Sequence, residues 1–519
     1  MISLTKLRRH ALLTVCGSLL LASSVSLPVI DASGQTADAP VHGGTLRLAT
    51  LGLDTSDPHR HTGSIGVQQV YAESLTSIAP DGSTTPWLAE SYEVSDDGLT
   101  YTFRLRDGVT FHNGDTLTAG DVLANFERVR ENVEGGWLAS AMGFTESFEA
   151  PDDRTFVVRL SEPYAPFLNL ISELWILSPA SPGWDETITQ PIGTGPFVFG
   201  EWIPNISLVA PAFEGYWDGD LPYLDALEFN LTELSDPSLA LRSGDLHIAP
   251  VSGDQLPIIA EAEDIDIQRL KDTSWYFWSF NNRSPRPPLD NVRVREAITY
   301  ALDKQAYMAF IAGDQGIVTN QMVIPGNYYF DEALHEADQH AQANLDLARQ
   351  ILAEEGVDPS EVTLEVVSWQ SPYAEVAVQM VRELGFDVEH AALEDLGAQQ
   401  RLSQYDWDLA PMGSGPRADV FLRYVRMMSD GPNPVLWGGV QDEVYDQTVA
   451  AAVAETNPAL RRQHYLDAWE MVMDNYWTVV AGHAPTVFGV RDEVEDFEFG
   501  FTYGPHYAGG GVAHAWLAP

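Results

Sequence analysis

The chain has 519 residues, 45% hydrophobic and 20% charged, which excludes a polytopic membrane protein and a largely disordered chain and gives, at about 100–200 residues per domain, a prior of three to five domains. Asp and Glu number 75 against 28 Lys and Arg, a formal charge of −47, and so acidic a surface repels the phosphates of nucleic acid. Among the cations only Lys6, Lys271 and Lys304 are lysines, a pattern that fits solvation in high salt and equally a GC-rich genome favouring Arg, Asp and Glu codons.

Residues 1–39 read as an export signal. Lys6, Arg8 and Arg9 precede the uncharged stretch Ala11 to Leu27, and small residues at Ala22-Ser23-Ser24 and Ala37-Asp38-Ala39 suit a peptidase. A membrane anchor is the competing reading, but a span needs about 20 apolar residues and an export h-region roughly 7–15. Arg8-Arg9 permits a twin-arginine route. Val15 is too large for the position before a lipidated cysteine, so no lipid anchor is expected at Cys16. Cys16 is the only cysteine, so the exported protein is expected to carry neither a disulfide nor a thiol nucleophile.

Thr45 to Leu48 alternates as an opening strand. Tyr101, Phe103 and Leu105 alternate with polar residues, Asp107-Gly108 turns, and Val109 to Phe111 returns, which predicts a hairpin. Thr118 with Asp121 predicts a capped helix that buries Val122, Phe126 and Val129. Residues 150–290 read as strands and loops, at 156–158, 197–199, 227–229 and 265–270. From 290 the period changes. Helices are predicted around Val294 to Leu302, Leu345 to Leu352 and Val376 to Leu384, the last two stopped by Gly356 and Gly385. Strands at Val362 to Val366 and Phe386 to Val388 alternate with them, an α/β unit. A helix at Asn457–Asn475 and a Gly-rich tail follow.

Signals for enzyme chemistry are poor. There is no Gly-x-Ser-x-Gly elbow, no P-loop and no His-Glu-x-x-His. His335 and His340 stand five apart, against the i, i+4 spacing of helical zinc ligands, and read as solvated surface. His59-Arg60-His61 reads as a satisfied loop pair, with a nickel or haem-type site as the alternative. No metal site and no cofactor are expected. Aromatics are the better clue. Trp275-Tyr276-Phe277-Trp278 on a strand puts two rings on each face, and Trp369, Tyr373 and Trp437 lie in or beside loops rich in Ser, Pro and Gly. Core packing and the wall of a ligand pocket both remain open for these rings.

Leu88 to Gly114, continued by Leu117 to Val122, resembles the signature of the family 5 extracellular solute-binding proteins of ABC importers, the peptide/nickel group. So do Ile192-Gly193-Thr194-Gly195-Pro196-Phe197, Asn281-Asn282 with Pro288 to Ile298 and Ala301 to Lys304, and Ala348 to Gly356. The resemblance implies an α/β bilobal periplasmic-binding-protein fold with two lobes and an extra inserted domain. By analogy, domain I is 41–83, 192–281 and 484–519, domain II is 84–191, and domain III is 282–483. It implies a monomeric periplasmic receptor that closes on a peptide-like or other small polar solute and docks on a membrane permease, with no catalysis. A carboxylated compound, an oligosaccharide or a metal chelate is the alternative cargo, and an exported hydrolase the competing class.

The resemblance also points to the cleft lining. It implies Leu51, Gly52 and Asp54, then Tyr276 and Trp278, Trp369, Ser371 and Tyr373, Gly413, Ser414, Gly415 and Arg417, with Trp437 beside them. Peptide-binding members hold the α-amino group with an Asp after the strand that corresponds to Tyr405 to Leu409. Here Pro416 and Arg417 take that place, and Asp419 aligns with a more general family acid. Ser371 stands where dipeptide binders place an Arg before Pro-Tyr. Arg417 is expected either to pair with an anionic or carboxylated solute or to brace its own loop.

Overall fold

Ile265–Phe280 forms one strand of 16 residues and Thr478–Arg491 one of 14. β-branched and aromatic residues make up half of each, and at about 3.3 Å per residue they run some 45–50 Å. They pair antiparallel from Ile265 opposite Arg491 to Ser279 opposite Thr478. The computed structural model describes residues 39–49, 53, 55–60, 66–79, 82–133, 138, 142–232, 236–251, 255–415, 419–431, 438–501 and 504–519. The export-signal reading therefore falls almost wholly outside the described residues. No helix among them is long and apolar enough to cross a membrane.

An 11-stranded sheet is built around the two long strands. At one end Ile248–Pro250 pairs with Thr478–Arg491, and Thr45–Ala49, Ala226–Asn230 and Ser207–Pro211 follow outward. At the other end Leu409–Ser414 pairs with Ile265–Phe280, and Thr363–Trp369 and Asp387–Leu393 follow. The molecule is thus bilobal and α/β, its lobes sharing two crossing strands. Between the lobes the register slips at Arg269/Thr273 and at Tyr276/Phe277. Such slips concentrate twist and bending, so the crossing strands can flex there.

The α/β reading of the second lobe is observed. Helix Pro372–Leu384 links the parallel strands Thr363–Trp369 and Asp387–Leu393, and Gly385 ends it at φ 114°. Helices Val292–Ala301 and Leu345–Glu354 pack on the same core through Val294, Ile298, Ala348 and Leu352.

A separate four-stranded sheet joins Ala89–Val94, Thr100–Leu105, Thr155–Leu160 and Thr145–Asp152 in that order. Helix Ala119–Asn132 covers it. Thr118 and Asp121 make the expected capping box, and Val122, Phe126 and Val129 are fully buried. The hairpin expected from Tyr101 to Phe111 does not form. Thr100–Leu105 pairs instead with Ala89–Val94 and Thr155–Leu160. Residues 109–111 fold back on their own neighbours, through Leu117 N–H to the Val109 carbonyl and a Thr110–Thr116 bridge, which buries Val109 and Phe111 without a partner strand. Likewise, residues 197–199 give only one bridge, Phe197 to Ala212.

Gly193 and Gly195 carry the chain out of this unit close against residues 70–71 of the first lobe. A Cβ at Gly193 would lie 1.9 Å from the Tyr71 carbonyl oxygen, and one at Gly195 2.6 Å from that of Val70. Only glycine allows that approach. A buried ion pair then ties the small sheet's helix to the first lobe. Arg128 meets Asp57 at 2.6 Å, with side chains 1% and 0% exposed. His59 completes the network. Its Nδ1 faces the Arg128 guanidinium at 2.7 Å and its Nε2 the Trp175 carbonyl at 2.8 Å. A guanidinium only donates and a carbonyl only accepts, so the ring is neutral with its proton on Nε2. This is the satisfied-loop reading for His59; His61 lies outside the described residues.

Three other histidines are buried in the neutral form. Burial pushes His112 and His247 down to about 4 and His483 to about 3, the Arg47 charge adding to the effect at His247 and the Arg423 charge at His483. Unfolding restores a value near 6.5, so below that pH the unfolded chain takes up protons that the folded chain refuses. Stability is therefore full above pH 6.5 and falls as pH drops towards 4, by on the order of 1–2 kcal/mol per histidine at pH 5. Urea unfolding at pH 7.5 and pH 5 checks this, and equal midpoints would contradict it.

Candidate functional site

Three of the expected wall residues meet where the second lobe adjoins the crossing strands. Tyr276 and Gly413 are partners across the strand pair. Tyr373, in the first turn of helix Pro372–Leu384, stands edge-on to Tyr276 with centroids 5.3 Å apart. A Cβ at Gly413 would lie 3.2 Å from Tyr276 Cε1 and 3.7 Å from the Tyr373 hydroxyl. Gly413 is exposed and both tyrosines are partly buried, so the glycine leaves open space in front of two rings.

The rest of the second-lobe wall follows from the same elements. Trp369 ends the strand Thr363–Trp369 half-buried, and Ser371 precedes the helix, its hydroxyl donating to the Trp369 carbonyl at 3.4 Å. Burial raises the Tyr373 phenol, partly offset by a hydrogen bond with Ser371, so it stays a neutral donor. Ser414 pairs with Trp275, and Gly415 is half-buried. These residues offer rings, hydroxyls and backbone groups, and none carries a charge. Such groups can offer stacking and neutral hydrogen bonds.

Trp278 does not belong to this wall. It is 0% exposed and packs on Tyr307 with centroids 4.7 Å apart. It shares the Tyr276 face of the strand but lies two residues deeper into the lobe, where the core closes over it. Trp275 and Phe277 face the opposite core and stack on each other at 4.3 Å. Leu51, Gly52, Asp54, Arg417 and Trp437 lie outside the described residues.

The first lobe adds residues that sequence reasoning missed. A cavity of about 410 Å³ opens between Gln268, Arg269 and Leu270 of the first crossing strand and the tail segment 497–501. A polar recess beside it shares Gly500 and Phe501 and is lined by Gln69, Trp87, Glu173 and His506. The signal was present in Phe497-Glu498-Phe499-Gly500-Phe501, where three aromatics alternate around a glycine. One further cavity, about 470 Å³, lies at the far end of the second lobe around Thr478, Tyr300 and Tyr476. Four of its charged residues pair with one another, Lys304 with Asp338 at 3.0 Å and Arg293 with Glu296. Among the described residues no group of three His, Cys, Asp or Glu side chains is placed to hold a metal ion.

Comparison with known proteins identifies the family and the fold. Residues 83–433 match the model of the bacterial extracellular solute-binding proteins, family 5. The chain is 27% identical over 352 residues to the dipeptide-binding protein of Escherichia coli K12, covering 62% of this chain and 63% of that protein. It is 31% identical over 318 residues to heme-binding protein A of Haemophilus influenzae, covering 56% and 57%. The chain thus spans between half and two thirds of the length of these relatives. Its fold is similar to that of a Pseudoalteromonas dipeptide-binding protein solved with Met-Leu, with a TM-score of 0.78, 20% identity, and coverage of 92% of this chain and all of that one.

Proposed function

The chain belongs to the bacterial extracellular solute-binding proteins of family 5, and from that premise we propose that it is the receptor of an ABC importer. In this reading it works outside the cytoplasmic membrane, traps a small polar or peptide-like solute between its two lobes and hands it unchanged to a permease. The observation that carries the reading is the pair of crossing strands. They are the shared part of both lobes, their register slips between them, and the Tyr276–Tyr373–Gly413 wall stands on one side of the slip with the 410 Å³ cavity on the other. A ligand touching both walls favours the closed form, because only there does it make both sets of contacts.

The domain assignment extends this reading. Domain I takes 41–83, 192–281 and 484–519, domain II 84–191 and domain III 282–483. The separate four-stranded sheet and its buried Asp57–Arg128 tie support grouping domain II with domain I. The uncharged wall supports a solute recognised through stacking and neutral hydrogen bonds there, with Arg417 reserved for a carboxylate. Relatives with peptide and heme cargo are compatible with that range.

Native mass spectrometry of protein purified without refolding tests the proposal. A retained small molecule of unaltered mass after incubation supports it. A retained compound converted into products would replace it with the hydrolase reading.

A further inference from the structure

The four-stranded sheet unit meets the second lobe at a small patch made of groups outside both walls. The Ala165 amide donates to the Val453 carbonyl at 2.9 Å. One helical turn on, Asn169 Nδ2 donates to Asp419 Oδ2 at 3.0 Å. The Thr84 hydroxyl donates to Asn169 Oδ1, which fixes the amide with its NH2 towards the carboxylate. Asp419 is only 7% exposed and is also held by Arg461 at 2.9 and 3.1 Å and by the Phe421 amide at 2.8 Å. Tyr164 closes the patch edge-on against Phe421, with centroids 5.4 Å apart.

On its other flank the same unit is fastened to the first lobe. Besides Asp57–Arg128, the Leu88 amide donates to the Ser74 carbonyl at 3.1 Å and the His112 amide to the Gly193 carbonyl at 2.9 Å. Buried charge holds one flank, whereas the patch towards the second lobe is short and contains no cross-lobe ion pair among the described residues.

We infer that Asn169, Asp419 and the Ala165–Val453 pair form a latch that closes the small sheet unit onto the second lobe and must open before solute leaves. The inference rests on the two-lobe reading. Asp419 is a positioning residue here, its oxygens already taken by Arg461, Asn169 and the Phe421 amide. Because the latch groups stand outside the walls, they favour the closed state whatever the solute, and their loss opens the protein by the same factor for each.

Hydrogen exchange of the full-length protein tests this without knowledge of the ligand. The amide of Ala165 is expected to be protected in wild type. Asn169→Asp, which sets a second carboxylate against Asp419, should speed its exchange at least about 10-fold, and Asn169→Ala about 3–10-fold, with helix Ala119–Asn132 unchanged. Equal exchange at Ala165 in wild type and in Asn169→Ala would overturn the latch, even if Asn169→Asp fails to fold. A wild type whose scattering is identical with solute bound and removed would instead remove the two-lobe reading beneath it.

Discussion

Asp57→Ala is expected to lower the stability of the protein by about 3–5 kcal/mol, because it leaves the Arg128 guanidinium charged and unpaired in the interior. Asp57 accepts from both Arg128 nitrogens at 2.6 and 3.2 Å, from the Ile188 amide at 3.0 Å and from the His59 amide at 3.2 Å. Burial alone would raise its carboxyl. The hydrogen bond and charge of Arg128 and the Ile188 amide outweigh burial and hold it below the ordinary range. Its contribution is therefore complete above about pH 4 and is lost as acid takes the pH down through the folded value. The double variant Asp57→Ala/Arg128→Leu should recover much of the loss, since no lone charge remains. Urea unfolding at pH 7.5 decides. A loss under 1 kcal/mol for the single variant would mean that the pair is not the fastening between the small sheet unit and the first lobe.

Gly413→Leu is expected to abolish solute binding, by at least 100-fold, with little effect on stability. The new side chain starts 3.2 Å from one ring and 3.7 Å from a phenol and extends into the space before them. Gly413 is exposed, and the cost to the fold is confined to a shift of a few tenths of an ångström in the Tyr276 ring. Tyr373→Ala removes one ring and should weaken binding about 10–100-fold, the worth of one stacked, largely buried aromatic. Calorimetry with the solute recovered from the purified protein measures both. Wild-type affinity in Gly413→Leu would move the binding site away from this wall.

Local chemistry was legible in the sequence and long-range pairing was not. The Thr118–Asp121 capping box, the Gly385 stop and the alternation of helix and strand from Leu345 to Leu393 depend on residues within a few positions of each other, and all are observed. Ile265–Phe280 read as two separate strand pieces, 265–270 and the aromatics at 275–278, since Lys271-Asp272-Thr273 interrupts the apolar pattern; pairing with Thr478–Arg491 joins them into one strand. The expected hairpin at Tyr101 failed for the same reason: the partner strands of 100–105 include one that starts 50 residues away, at Thr155. In the site, composition flagged Tyr276 and Trp278 equally. Which of them faces open space is set by how deep each lies in the second lobe, and that depends on what the fold stacks over the strand. The tail segment 497–507 escaped notice because it returns to the first lobe from the far end of the chain.

Small-angle X-ray scattering of the protein as purified, and again after its solute has been stripped by mild denaturation and dialysis, asks most directly whether two lobes close on a cargo. A radius of gyration that rises on stripping and falls back when the recovered solute is returned is the result expected of lobes joined by two flexing strands. Superimposable curves in all three states would contradict it.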